Sequence, residues 1–170
     1  DREGNIAYWH GNFMPKRNPK FDWSEIVDGT NKATEWQGLH SVKEIVHFEN
    51  PSNGWLQNCN STPFTAAGLG MIDASKFPTY MSPDVENFRG INAVRLFSSI
   101  QKIDLDELRT IGYDKHLAAF DVLIPSFLQA NEQKKEITSD LLAAYEVLKN
   151  WDRNSSNCRR KKQCIRRNWN

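Results

Sequence analysis

The chain changes character at Ser82. Upstream, short β-branched and aromatic stretches alternate with turn signals. Residues 6–14 read as a strand or hairpin arm, ended by Gly11-Asn12 and Pro15. Residues 16–35 are a polar loop anchored by Phe21, Trp23, Ile26 and Val27, and a second extended region covers residues 42–48. Asn50-Pro51-Ser52-Asn53-Gly54 is a dense turn signal, with a short strand-like Trp55-Leu56-Gln57 after it and loop to about Met81.

Downstream of Ser82 the signals are helical. Ser82 is a capping residue type and Pro83 suits the first helical position, where its missing N–H costs nothing. Val85, Phe88, Ile91, Val94, Leu96, Phe97 and Ile100 then give apolar contacts on nearly every side, as in a buried helix. Asp104 with Glu107 forms a capping-box pattern, and Ile103 with Leu108 suits a hydrophobic staple. That second helix is expected to bend near Gly112 and run to Ile124, because Pro125 disfavours further helix. A third opens at Thr138 or Ser139, with Leu141, Leu142, Tyr145, Leu148 and Trp151 on one face. The expected class is α+β, with early strands or a hairpin followed by about three helices and no internal repeat.

Composition enters where it divides the chain. The 22 Lys+Arg and 21 Asp+Glu nearly cancel to a net +1 over 170 residues. Residues 157–170, however, carry six basic side chains and no acidic one, leaving residues 1–156 with a net charge of −5. The expected division is therefore an acidic body, 1–156, and a basic tail, 157–170. The mean hydropathy of −0.66 lies on the wet side of globular chains. The longest apolar stretch, residues 116–130, is broken by Asp121 and Pro125 and falls short of the roughly 20 residues of a membrane span. Residues 1–5 form a polar turn directly before a strand signal, which reads as the start of an excised internal segment or of a processed chain.

The densest concentration of amides and hydroxyls is the run Asn50 to Phe64. A side-chain amide held there, on Asn58 or Asn60, has the chemistry to donate an N–H to a developing oxyanion. The competing explanation is that both are turn residues making Asx hydrogen bonds. Arg89 is the second candidate. On a helix starting at Ser82 it falls between Val85, Leu96 and Ile100, so its guanidinium is directed into an apolar face and needs a partner there. Alternatively, it is a structural arginine extending to an edge. Arg95 lies about 120° away on the same helix and need not share its site.

Other features carry less. Gly68-Leu69-Gly70 lacks the third glycine of a phosphate cradle. His10, His40, His47 and His116 have no metal-ligand spacing, and nothing in the spacing pairs Cys59 with a histidine as a nucleophile. No cofactor or metal is expected. Asn60-Ser61-Thr62 and Asn154-Ser155-Ser156 are glycosylation sequons, and the six tryptophans share no period.

These residues together resemble a family. Asp1-Arg2-Glu3-Gly4 with Ile6, Tyr8 and Pro15-Lys16-Arg17 looks like a strand pair in the β-chain of penicillin/cephalosporin acylases, a group that includes acyl-homoserine-lactone acylases. Trp36-x-Gly38-x-His40 resembles the next landmark, and Asn50-Pro51, Gly54, Gln57-Asn58-x-Asn60 and Pro63 resemble the most recognisable internal motif. Phe77-Pro78-x-Tyr80, Arg89…Arg95-Leu96 and Trp151-Asp152-Arg153 follow in order, so the resemblance spans roughly residues 1–154.

The resemblance implies an N-terminal-nucleophile hydrolase with an αββα fold, of which this chain would be an internal piece of the β-chain. Such enzymes expose a Ser, Thr or Cys at a new N-terminus, whose side chain attacks a linear amide while its own α-amino group acts as base. By motif position Asn60 would be the oxyanion-hole amide, and Arg89 the arginine that orients the site. Asp1 is not a nucleophile, and the family places the nucleophile upstream of the Asp1-Arg2-Glu3-Gly4 landmark. The isolated chain is thus expected to be inert. Its expected partners are the remainder of the acylase α- and β-chains and a small acyl-amide substrate, either β-lactam or acyl-homoserine-lactone-like, with the parent in the periplasm or secreted. After Arg153 the family continues apolar and Ser/Ala-rich, so the basic tail is expected to be unrelated. A rival from another class is a non-catalytic binding module whose basic tail contacts nucleic acid or an acidic partner, with phosphate contacts that weaken with salt. The rival is disfavoured against a tail that is merely a solvated appendage, and nucleic-acid contact is not expected.

Overall fold

The computed structural model describes residues 1–11, 13–132 and 138–155. The basic tail, with Cys158 and Cys164, lies outside the described residues. The chain divides into two compact units, Asp1–Gln101 and Lys102–Asn170. Among the described residues there are one two-stranded antiparallel sheet and four α-helices, an α+β composition.

In the first unit, β1 (Ala7–Trp9) pairs with β2 (His47–Glu49) in the register Ala7↔Glu49, Tyr8↔Phe48, Trp9↔His47. Strand alternation sends Tyr8 and Phe48 toward one face, where their rings lie 6.4 Å apart, and Trp9 and His47 toward the other, where they stack at 6.0 Å. Phe48 joins Ile45, Val46, Ala66, Ala67 and Met81 in a small buried core, with Tyr8, Met14, Leu56, Phe64, Ile72 and Phe77 packed around it. The sheet is shorter than the residues 42–48 suggest, because strand pairing begins only at His47. Trp55-Leu56-Gln57 is not a strand; Gln57 N–H bonds to the Ala66 carbonyl at 2.8 Å and stands against a turn.

Much of this unit is loop held by specific long-range bonds. Lys16 N–H donates to the Gly38 carbonyl at 2.9 Å, Gln37 N–H to Lys16 at 2.8 Å and His40 N–H to Met14 at 2.8 Å, tying two of the sequence landmarks into one ladder. The Asn50-Pro51 turn closes on the chain start. Asn50 N–H donates to the Ile6 carbonyl, and Ile6 N–H donates to Asn50 Oδ1, both at 2.9 Å.

Helix α1 (Phe88–Ser98) starts five residues later than the Ser82-Pro83 signal indicates. Ser82 is extended (φ −150°, ψ 92°) and terminates a 3-10 turn over Thr79–Met81. The cap is Asn87, whose side chain accepts from both Arg89 N–H and Gly90 N–H. Val85, left outside the helix, is 82% exposed.

The second unit holds α2 (Leu105–Gly112), α3 (Ala119–Glu132) and α4 (Ser139–Lys149). The capping box at the start of α2 is present: Glu107 N–H donates to Asp104 Oδ1 at 2.8 Å and Asp104 N–H to Glu107 Oε2 at 3.1 Å. The single helix expected over 104–124 is two, since α2 ends at Gly112 and α3 begins at Ala119 and continues through Pro125. An interior proline costs about 3 kcal/mol. Tertiary packing outweighs that here: Ile124 and Asn131, on either side of Pro125, are both only 3% exposed, and α3 packs on α4, which buries Tyr145. Thr138 caps α4, as its sequence position implies.

Candidate functional site

The loop at Asn58–Asn60 and the start of α1 come together in the first unit. Asn60 N–H donates to Asn58 Oδ1 at 2.9 Å, so Asn58 is an Asx-turn residue. Asn60 itself is held at φ 52°, in the left-handed region that Asn tolerates better than most side chains. Across the gap, Arg89 Nη1 donates to Asn60 Oδ1 at 3.4 Å. A guanidinium only donates, so this contact assigns the orientation of the Asn60 amide: oxygen toward Arg89, Nδ2 away from it. Asn60 is exposed, and among the described residues none accepts a hydrogen bond from its Nδ2.

Arg89 is exposed as well, contrary to the placement expected from a helix beginning at Ser82. Because α1 starts at Phe88, Arg89 occupies its second position, and the apolar residues Leu96 and Ile100 no longer share a stripe with Val85. A cation in the first turn opposes the helix dipole. Its place there follows from the partner it reaches across the chain.

The surroundings are crowded and polar. Asn87 Nδ2 donates to the Cys59 carbonyl at 2.9 Å and to the Asn60 carbonyl at 3.2 Å. Glu86 accepts from Thr65 Oγ1, and from Asn87 N–H at 2.9 Å. Gly90 is buried against this group; a Cβ there would overlap the Glu86 carboxylate and press on Ser61 Oγ. Burial pushes the Cys59 thiol up; Arg89 opposes that, and Glu86 raises it further. The sulfur is therefore kept as a thiol rather than the thiolate a nucleophile needs.

The remaining landmarks fall elsewhere. His40 Nε2 and the Tyr80 hydroxyl hydrogen-bond at 2.9 Å, joining two motifs 40 residues apart, while His40 Nδ1 lies 3.7 Å from Glu44 Oε2. In the second unit His116 Nε2 meets Asp121 Oδ2 at 2.6 Å and Arg153 Nη1 meets Asp121 Oδ1 at 3.3 Å, which accounts for the arginine of Trp151-Asp152-Arg153. Trp151 packs edge-on to Phe120, with ring centroids 4.9 Å apart. Among the described residues no group of three or more His, Cys, Asp or Glu could hold a metal ion. No helix among them is long and apolar enough to cross a membrane.

Sequence reasoning placed Asn60 and Arg89 in one motif series but missed Asn87, the residue that touches both. Its signal was available, since Asn is a strong N-cap type; the Ser82-Pro83 pair imitated a stronger start.

An α+β chain with an outward-facing amide backed by an arginine has the parts of an acyl-transfer oxyanion donor. The family model of penicillin amidase matches residues 1–169, and the chain belongs to the penicillin amidase family. At the level of that family it is an acylase, an amidohydrolase. The matched range includes the basic segment that the sequence set apart as unrelated.

Proposed function

We propose that this chain supplies the oxyanion-stabilising corner of an N-terminal-nucleophile acylase that hydrolyses the linear amide of an N-acyl substrate, of the β-lactam or acyl-homoserine-lactone type. The observation that carries the proposal is the Asn60–Arg89 contact. A cation on the amide oxygen draws electron density from the amide and makes Nδ2 a stronger donor, because hydrogen bonds in series polarise one another. That donor faces outward with no protein acceptor among the described residues, as a group awaiting a substrate oxygen must.

The nucleophile comes from another segment of the parent enzyme. Asp1 is no substitute: its carboxylate accepts from Glu3 N–H, Asn5 N–H and the Asn5 side chain and is occupied in closing a turn. The other acylase segments, which bring the nucleophile and the acyl pocket, are the partners this reading requires. On this reading the parent works in the periplasm or outside the cell, which the family resemblance supports.

The test has two arms. The 170-residue chain alone should give no turnover of an N-acyl amide. In the whole enzyme, Asn60→Ala should lower kcat by about 10²–10³-fold, the cost of one oxyanion donor. Turnover by the isolated chain that Asn60→Ala leaves unchanged would sink the reading.

A further inference from the structure

We propose that Asn87 is a positioning residue for the Asn60–Arg89 pair, fixing the oxyanion loop and the start of α1 with one side chain. The inference rests on the oxyanion reading of Asn60 for its catalytic consequence, but its geometry stands apart from that reading.

A side-chain amide has two N–H donors and an oxygen with two lone pairs. Asn87 uses all four. Nδ2 donates to the carbonyls of Cys59 and Asn60 at 2.9 and 3.2 Å. Oδ1 accepts from the N–H groups of Arg89 and Gly90, both at 3.0 Å. The first pair reaches back 27 and 28 residues; the second pair caps the helix beginning at the next residue.

The loop needs such a hold. Asparagine tolerates a left-handed backbone better than most residues, but a single such conformation in an exposed loop persists only where neighbours over-determine it. Asn58 holds Asn60 by its N–H, and Asn87 holds it by its C=O. The Asn60 side chain is then aimed by its own backbone, while Arg89, two residues past the cap, is aimed by the helix. Because one group secures both, the span between Nη1 and Oδ1 is set by Asn87.

Other residue types would do half the task. Asp, Ser and Thr all cap helices, but an ionised carboxylate has no N–H to donate, and a single hydroxyl cannot serve two carbonyls and two amides at once. A residue acting only as a cap would leave Nδ2 to solvent. The two carbonyl contacts separate the positioning role from simple capping.

The test uses the isotope-labelled full chain and two readouts. In the native protein, couplings across hydrogen bonds should link Asn87 Nδ2 to the carbonyl carbons of Cys59 and Asn60; absence of both overturns the proposal without any variant needing to fold. Asn87→Asp keeps the cap and removes the donors. Arg89 and Gly90 amides should then retain slow exchange while the Asn60 backbone and side-chain signals move toward those of a mobile asparagine. Unchanged Asn60 signals in that variant also overturn it. In the whole enzyme, Asn87→Asp should lower kcat by about 10- to 100-fold with KM nearly unchanged, as a misplaced catalytic group does. A raised KM at unchanged kcat counts against positioning. Should Asn60→Ala leave kcat untouched, the oxyanion reading falls alone, because the couplings judge the positioning of Asn60 independently.

Discussion

The two units are built from different kinds of information. In Lys102–Asn170 two of the described helices, α2 and α4, begin on local signals: the Asp104–Glu107 box and the Thr138 cap each act within three residues. In Asp1–Gln101 the decisive bonds run far along the chain. Asn50 closes on Ile6 over 44 residues, His40 on Tyr80 over 40, and Arg89 on Asn60 over 29. Among the described residues four non-glycine positions have positive φ, and three of them, Phe13, Asn50 and Asn60, lie in this unit. The difference teaches where precision was needed: the unit with few regular elements is the one that carries the candidate site.

The comparison breaks most easily at Met81. It is 2% exposed at the centre of a core with few members, so Met81→Ala should destabilise the first unit by about 2–5 kcal/mol. Amide exchange should rise around β1, β2 and the Asn60 loop, with α3 and α4 much less affected. An equal rise in those helices would show that the two units do not differ in this way.

A smaller effect should follow from Asp104→Ala, which removes a cap that is wholly local. Loss of about 0.5–2 kcal/mol is expected, confined to fraying of α2, whose capping box is exposed to solvent. Chemical-shift changes reaching Asn60 would contradict the local character assigned to this unit.

The mildest expectation concerns acid. Burial lowers the affinity of His10 for protons, with Asp84 and the Met81 backbone opposing this in part. The unfolded chain therefore binds a proton before the folded one does. The stability from neutral His10 is complete above the ordinary histidine range, near 6.5, and declines as pH falls from there toward the lowered folded value. His10→Gln should flatten the denaturation midpoint as pH falls below about 6.5. A midpoint that rises on acidification in the native chain would reverse the sign.

Legibility in the sequence followed the same divide. The cap at Thr138 and the box at Asp104 were readable because their partners are three residues away. The α+β class and the two strand regions were readable from β-branched and aromatic content, although not the shortness of β2. The continuation of α3 past Pro125 was not, since the burial that overcomes the proline comes from α3 packing on α4. At the site, motif order singled out Asn60 and Arg89, whereas the helical wheel put Arg89 on a buried face because it assumed the wrong start. No local pattern shows that an asparagine capping one helix also holds two carbonyls of a distant loop.

The left-handed backbone of Asn60 limits how this corner can be re-engineered. Only glycine, asparagine and aspartate enter that conformation readily, and of these only asparagine brings a neutral N–H donor. A designer wishing to exchange the amide for a hydroxyl or a longer amide would have to rebuild the turn first. Shape and chemistry are encoded by one letter, so neither can be tuned alone.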